Sequence, residues 1–100
     1  MPLAIEVDRS RIAEFCRKWR VKELALFGSA LRGDFRADSD VDVLVELAPN
    51  HGLTLYDWVD MIEELRAIFG RPVDLVAKGG LRNPFRRREI LGTAEVIYAA

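Results

Sequence analysis

The sequence has one cysteine, one histidine and no long uninterrupted apolar segment. Because Cys16 has no second cysteine to pair with, an internal disulfide is excluded and a reducing, cytoplasmic setting is expected. No apolar run reaches the roughly 18 residues of a membrane span, and the first residues lack the basic and apolar segments of a signal peptide. The remaining composition, 50% hydrophobic over 100 residues with a net charge of −1, predicts one globular domain spanning residues 1–100.

Charge is unevenly distributed along the chain. Residues 34–64 contain nine acidic side chains and one basic side chain, whereas residues 71–100 contain six basic and three acidic ones. An acidic surface repels a nucleic acid unless cations bridge the two, so we expect no direct nucleic-acid binding. The same carboxylates are compatible with a site for a divalent metal ion.

Apolar periodicity predicts alternating helices and strands. A helix is expected over residues 8–19 with Cys16 on its apolar face, and another over residues 55–69 with Thr54 as its N-cap. Short apolar runs predict strands, and clusters of glycine, proline and polar residues predict the turns between them. The other expected elements are strands over 24–27, 40–47, 72–77 and 94–98, a helical turn over 29–32 closed by Gly33, a polar loop over 34–39, and a helix from Pro84 to about Leu91 that Gly92 ends.

Two of these elements have a defined apolar face. In the strand over residues 40–47, alternation places the valines on one face and both aspartates on the other. In the helix over residues 55–69, residues spaced three and four apart form an apolar stripe. That stripe consists of Leu55, Trp58, Val59, Ile62, Leu65, Ile68 and Phe69.

The most informative stretch begins at Gly28-Ser29 and ends, after ten intervening residues, at Asp40-Val41-Asp42. Glycine lets the backbone turn sharply and approach a phosphate closely. The amide groups that follow, with the Ser29 hydroxyl, can donate to an anion at the start of the helical turn. Asp40 and Asp42 are two residues apart on a strand, so both carboxylates project from one face and can bind a hard cation together.

Three further residues extend this candidate site. Asp74 lies in the middle of another apolar strand, where an unpaired charge is costly, and it joins the other carboxylates if the two strands are neighbours. Two metal ions held there could clamp the attacking and leaving oxygens at a phosphorus atom. Arg32 and Arg36 are close enough in sequence to neutralise pyrophosphate charge, although loop arginines are commonly only solvated. Taken singly, Asp-x-Asp is a weak signal, since it also occurs in turns, calcium loops and glycosyltransferases.

A basic cluster, formed by Arg82, Arg86, Arg87 and Arg88, precedes and enters the last predicted helix. It is either a solvated helix face or a docking patch for an acidic protein surface or RNA. His51 lies in a predicted turn without a visible partner, and it is left out of the candidate site.

At these positions the sequence resembles the minimal nucleotidyltransferases (MNT domains) of the DNA polymerase β-like superfamily. The family pattern of Gly-Ser, ten residues and Asp-x-Asp stands here as Gly28-Ser29, residues 30–39 and Asp40-Val41-Asp42. The later Arg-Pro-Val-Asp-Leu-Val matches the family at its third carboxylate, Asp74. The resemblance covers nearly the whole chain and implies the nucleotidyltransferase fold, an α/β (α+β) fold in which helices flank a small mixed β-sheet.

The resemblance also implies an activity and a partner. The implied enzyme uses Mg²⁺ and transfers AMP from ATP to a hydroxyl group, with Gly28 and Ser29 holding the β- and γ-phosphates. Asp40 and Asp42 would hold both metal ions, while Asp74 would complete the second metal site and help to deprotonate the acceptor. Many compact members of the family are antitoxins paired with a HEPN-domain ribonuclease toxin, whose tyrosine hydroxyl is the implied acceptor.

Two alternatives to this activity remain open on the sequence. One is a binding module that neutralises its partner by occlusion, and the other is a nucleotidyltransferase with a small-molecule or RNA acceptor. Few residues follow the third predicted strand, and relatives that act on antibiotics or RNA ends carry a further helical domain. We therefore expect the acceptor to be a partner protein that brings its own surface.

Overall fold

The computed structural model describes residues 7–28, 40–80 and 84–100, except for the side chains of Arg86 and Arg87. These residues form three α-helices and four β-strands in the order α1 (Arg9–Lys18), β1 (Val21–Phe27), β2 (Val41–Leu47), α2 (Leu55–Phe69), β3 (Val73–Ala77), α3 (Pro84–Thr93) and β4 (Glu95–Ala99). A single 3-10 turn, Lys78–Gly80, follows β3. The expected turn at 29–32, the loop at 34–39 and Asn83 lie outside the described residues.

The four strands form one mixed sheet in the order β3-β2-β1-β4. Strand β1 is antiparallel to β2 on one side and to β4 on the other, whereas β2 and β3 are parallel. A parallel pair needs a long connection back across the sheet, and α2 supplies it here. The predicted α/β fold with a small mixed sheet flanked by helices is therefore confirmed.

The main hydrophobic core lies between one face of the sheet and the helices α1 and α2. Its strand residues include Val41, Val43 and Val45, the valines that alternation assigned to one face. Helix α1 contributes Ile12, Phe15 and Cys16, and α2 contributes Met61 and Leu65.

A second, smaller core cluster lies on the opposite face of the sheet, beneath α3. It consists of Ala25, Phe27, Leu44 and Ile90, with Val76 and Ala94 packed against it. Both faces of the sheet are thus covered, but α3 is held by far fewer buried side chains than α1 and α2.

Polar contacts fix the position of α1. Asp8 is its N-cap, and the Asp8 carboxylate accepts a hydrogen bond from the Arg11 amide at 3.2 Å. At the other end of α1, the Glu64 carboxylate of α2 accepts hydrogen bonds from Trp19 Nε1 at 2.7 Å and from Lys18 Nζ at 3.0 Å. Glu64 therefore links the two helices that cover the main core.

Helix α2 begins and ends where the sequence predicts, but its apolar stripe is rotated. Thr54 caps the helix in a capping box with Asp57, and Gly70 ends it in the left-handed conformation. Leu55 and Val59, assigned to the stripe, are 84% and 56% exposed, whereas Met61 is fully buried. The stripe is centred on Met61 and Leu65, and residues 55 and 59 project from its side; the prediction was wrong at these positions.

Helix α3 extends further than its glycine suggests. Gly92, expected to end the helix, lies inside it, because the helix continues to Thr93. The Thr93 hydroxyl donates to the Glu89 carbonyl at 2.8 Å, and the Ala94 amide donates to the Ile90 carbonyl at 2.8 Å. These two bonds satisfy carbonyls of the last turn, so the helix end does not need a glycine. None of the helices in the described part of the chain is long and apolar enough to cross a membrane.

Candidate functional site

Asp42 and Asp74 lie side by side on neighbouring strands. In the parallel pairing of β2 with β3, Asp42 is the register partner of Asp74. Adjacent strands are separated by about 4.8 Å, so the two residues occupy the same row of the sheet. The sequence left open whether these strands are neighbours, and the sheet order places them together.

Both aspartates project from the face of the sheet that α3 covers. On β2, Val41 and Val43 are buried in the main core, so Asp42 between them must point to the opposite face. On β3, Val73 and Leu75 pack in the main core, while Asp74 between them is exposed. Burial thus gives the same assignment as the register, and a charge-bearing residue at either position avoids the main core.

Gly28, the residue that follows β1, lies against the side chain of Asp42. Its φ angle is +65°, a conformation that residues with a β-carbon rarely adopt. Asp42 pairs with Phe27, the residue before Gly28. A β-carbon on Gly28 would stand 3.1 Å from Asp42 Cγ and would overlap one of the carboxylate oxygens. Only glycine fits this position without displacing the Asp42 side chain.

Asp40 is exposed and directly precedes β2. The next residue, Val41, donates its amide to the Pro72 carbonyl at 2.9 Å, which ties the start of β2 to the start of β3. Within residues 7–28, 40–80 and 84–100, no group of three or more His, Cys, Asp and Glu side chains is arranged to hold a metal ion. The metal site of Asp40, Asp42 and Asp74 therefore stays a prediction.

The remaining predicted site residues lie outside the described part of the chain. Ser29, Arg32 and Arg36, expected to bind nucleotide, lie outside the described residues, and so does Arg82. His51, which was left out of the site, accepts a hydrogen bond at Nδ1 from the Leu53 amide at 2.9 Å. It therefore stabilises the turn before α2.

The residues that are described fit a divalent cation. Two carboxylates on adjacent strands repel each other unless a cation lies between them, and carboxylate oxygens are preferred ligands of Mg²⁺. Asp42 and Asp74 would hold such an ion, next to the backbone of Gly28. A bound ion would supply positive charge for the phosphate oxygens.

The face that carries Asp42 and Asp74 is arranged in successive rows along β2 and β3. The carboxylate row is followed by Leu44 and Val76, which are also register partners. Further along, Lys78 Nζ pairs with Glu46 Oε1 at 3.4 Å. Ile90 of α3 packs with Leu44, the residue beside Asp42 on this face.

Sequence reasoning missed the position of α3 on this face. It assigned Arg88 to a basic cluster that is either a solvated helix face or a docking patch, but it did not include Phe85 and Leu91, which the helix also presents to solvent. The sequence signal for this exposed surface was the three-residue spacing of Phe85, Arg88 and Leu91, which makes successive members neighbours on a helix.

Comparison with known proteins places the chain in a family. Residues 9–97 match the nucleotidyltransferase domain family. The chain is 38% identical over 73 residues to a candidate protein adenylyltransferase of Methanocaldococcus jannaschii, covering 73% of each sequence. It is 34% identical over 85 residues to the protein adenylyltransferase MntA of Thermococcus cleftensis, covering 85% of this chain and 81% of that protein.

Solved structures share the fold. One minimal nucleotidyltransferase superposes with a TM-score of 0.71 at 34% identity, over 86% of this chain and 85% of that one. A toxin–antitoxin complex with AMP-PNP gives a TM-score of 0.73 at 19% identity, over 94% of this chain and 75% of that one. A complex of the tri-AMPylated HEPN toxin of Shewanella oneidensis with an MNT antitoxin gives 0.63 at 17% identity, over 92% and 70%.

The last two likenesses concern the fold alone, because their sequence identity is low. The family match and the two sequence relatives each cover more than two thirds of the chain. Together with the pairing of Asp42 and Asp74, they identify the chain as an enzyme of the nucleotidyltransferase domain family, a minimal nucleotidyltransferase of the MntA type.

Proposed function

We propose that this enzyme transfers AMP from ATP to a tyrosine hydroxyl of a partner HEPN toxin and thereby acts as its antitoxin, with Mg²⁺ bound at Asp40, Asp42 and Asp74. The observation that carries the proposal is the register of β2 and β3. It brings Asp42 and Asp74 into one row, with Gly28 packed against Asp42.

The relatives support adenylyl transfer to a protein and a toxin partner. Two sequence relatives carry the name protein adenylyltransferase. Structures of the same fold come from toxin–antitoxin complexes, one with AMP-PNP and one with an AMPylated HEPN toxin. We extend the acceptor, the nucleotide and the partner from these proteins to this chain.

In the proposed reaction, the tyrosine oxygen attacks the α-phosphorus of ATP. A bond forms between that oxygen and phosphorus, the bond to the bridging oxygen of the β-phosphate breaks, and pyrophosphate leaves. Asp74 accepts the proton of the hydroxyl, directly or through water, because its carboxylate lies beside Asp42 at an exposed position. Gly28 and Ser29 hold the β- and γ-phosphates, and Arg32 and Arg36 neutralise the charge on the leaving pyrophosphate.

Positioning accounts for most of the catalysis in this scheme. The protein forms no covalent bond to the nucleotide, so its task is to align the hydroxyl with phosphorus and to stabilise charge.

Since the reaction consumes ATP, we place the protein in the cytoplasm.

The test is to incubate the purified enzyme with a co-expressed HEPN toxin, ATP and Mg²⁺, and to measure the intact mass of the toxin. We expect an increase of about 329 Da for each AMP residue, located on tyrosine by fragmentation. The double variant Asp40→Asn/Asp42→Asn should fold but leave the toxin unmodified and active. Modification by that variant at the wild-type rate would contradict the proposed site.

The same experiment separates catalysis from occlusion. If the double variant, without ATP, still neutralises the ribonuclease activity of the toxin as well as the wild-type enzyme does, then binding alone explains the antitoxin activity. If neutralisation requires both ATP and the carboxylates, the transferred AMP group explains it.

A further inference from the structure

Helix α3 exposes an apolar and basic ridge beside the candidate active site. Phe85, Arg88 and Leu91, which we call the α3 ridge, are three residues apart and therefore run along one side of the helix. Phe85 is 85% exposed and Leu91 is 36% exposed, and Arg88 between them is also exposed. Exposed aromatic residues and arginines are enriched at protein-binding surfaces.

The position of the ridge relative to Asp42 and Asp74 follows from the packing of Ile90. Ile90 is buried with Leu44, and Val76 packs against the same cluster. These two strand residues are each two positions from an aspartate on the same face, which is about 7 Å along a strand. Helix α3 therefore lies over the face that carries the carboxylate row, and the ridge lies on the side of the helix that faces away from the sheet.

We infer that the α3 ridge is the docking surface for the acceptor protein and binds an acidic, partly apolar segment that carries the modified tyrosine. This inference rests on the proposed function and adds to it the site where the acceptor binds and the chemistry of the segment bound. The bound segment is acidic in this proposal because the sequence of α3 contains three arginines and one glutamate. Phe85 and Leu91 provide the apolar contacts.

A protein fits this surface better than RNA does. Phosphate groups require a continuous basic surface, whereas the arginine of the ridge is flanked by Phe85 and Leu91.

The structure also offers a matched control surface. Leu55, Tyr56 and Val59, which we call the α2 patch, are likewise exposed, and Tyr56 is 86% exposed. This patch lies on α2, which covers the opposite face of the sheet. The α2 patch lies at the start of α2, which follows the C-terminal end of β2, whereas Asp42 lies at the N-terminal end of that strand. A substitution in the patch therefore changes exposed apolar area without changing the surface beside Asp42.

The first experiment measures binding alone. Three fluorescent probes are used: a peptide with one tyrosine, two leucines and several aspartates, the same peptide with lysines in place of the aspartates, and a single-stranded RNA of similar length. Anisotropy titrations compare the wild-type enzyme with Phe85→Ser, Arg88→Glu and, as the control, Tyr56→Ser. All three substituted side chains are exposed, so the variants should fold, which circular dichroism verifies.

We expect the aspartate peptide to bind the wild-type enzyme and the Tyr56→Ser variant equally well. Phe85→Ser should weaken binding by about 30-fold, the lower limit for a hot-spot truncation. Arg88→Glu should reverse the preference, so that the lysine peptide binds better than the aspartate peptide. Equal binding by all four proteins, or a wild-type preference for the lysine peptide or the RNA, would overturn the inference.

A second measurement separates this inference from the proposed function. The same peptides are incubated with ATP and Mg²⁺, and AMP transfer to the tyrosine is followed by mass spectrometry. Ridge-dependent binding of the aspartate peptide without transfer to it or to the toxin would refute the proposed function and leave the docking surface in place. Transfer at the same rate by the wild-type enzyme, Phe85→Ser and Arg88→Glu would refute the docking surface and leave the proposed function in place.

Discussion

The backbone of Gly28 lies so close to the Asp42 side chain that a β-carbon at Gly28 would overlap the carboxylate. Gly28 also has a left-handed φ of +65°. Its replacement therefore has two consequences, one for the backbone and one for the candidate active site.

The first prediction separates these two effects. Gly28→Ala should lose stability through its φ angle, by about 1–2 kcal/mol, and should also displace Asp42. A displacement of about 1 Å can reduce a reaction rate about 100-fold, and we expect AMP transfer to fall at least that far. The matched control is Gly52→Ala, because Gly52 has a φ of +70° and no atom within 4 Å of an added β-carbon. It should lose similar stability in urea unfolding and keep its activity; equal activity of the two variants would contradict the role of Gly28.

The second prediction concerns the carboxylate row. Asp74→Asn removes one negative charge beside Asp42 while keeping the size of the side chain, and we expect transfer to fall by about 100- to 1,000-fold. Asp60→Asn makes the same chemical change at an exposed position on α2 and should leave transfer unchanged. Initial rates with labelled ATP at saturating Mg²⁺ provide the measurement. Asp74 has no part in the reaction if both variants retain the wild-type rate.

The third prediction concerns the link between α1 and α2. Glu64→Leu leaves the half-buried indole N–H of Trp19 without its acceptor and should lower the free energy of unfolding by about 1–3 kcal/mol. Lys18→Ala removes an exposed ion pair and the contact of the ammonium group with the Trp19 ring, 5.0 Å from the ring centroid, and should cost about 1 kcal/mol. Glu64→Gln keeps an oxygen acceptor for Trp19 and should fall between the two. Urea unfolding measures all three, and a Glu64→Leu variant as stable as Lys18→Ala would contradict a contribution from the Trp19 hydrogen bond, because both variants lose the ion pair.

The fourth prediction concerns Cys16, which packs in the main core as the amphipathic pattern of α1 predicted. Burial raises the pKa of its thiol from 9.0 to about 12, against a smaller lowering by Arg17. The native thiol should therefore stay protonated at pH 8 and react with Ellman's reagent only after unfolding. Rapid labelling of the native enzyme would contradict this burial.

The same pKa shift makes stability depend on pH. Below pH 9 the thiol is protonated in both states, so its contribution to stability is fully present. Between pH 9 and about 12 the unfolded state loses the proton first, and the free energy of unfolding falls by about 1.4 kcal/mol per pH unit. Cys16→Ala lacks this thiol, so the stability difference between wild type and variant should change over that interval and stay constant below it.

Local patterns were sufficient to predict most of the elements. Helix α1, helix α2 and the strands β2 to β4 occur where apolar spacing and capping residues predict them, because those signals are carried by neighbouring residues. Strand β1 begins at Val21, three residues before its predicted start, because Lys22 and Glu23 interrupt the apolar run. The rotation of the α2 stripe was not predictable. Leu55 and Val59 are as apolar as Met61, and only the position of α2 on the sheet decides which of them is buried.

The candidate site was predictable residue by residue but not as an arrangement. Each aspartate stands out as a charge on an apolar strand, yet strand order depends on contacts between distant parts of the chain. The strand order became known only from the structure, in which β2 pairs with β3. The close approach of Gly28 to Asp42 likewise depends on the antiparallel pairing of β1 with β2.

The parallel pairing of β2 with β3 also limits how the chain can misfold. A slip of β3 by one residue would turn Asp74 toward Val43 and Met61, where its charge would have no water and no cation. We therefore expect the charge at position 74 to disfavour the neighbouring registers, in which it would be buried. An uncharged substitution at position 74 should make these registers less unfavourable, so that β3 pairs with β2 one residue out of register in a small population of molecules.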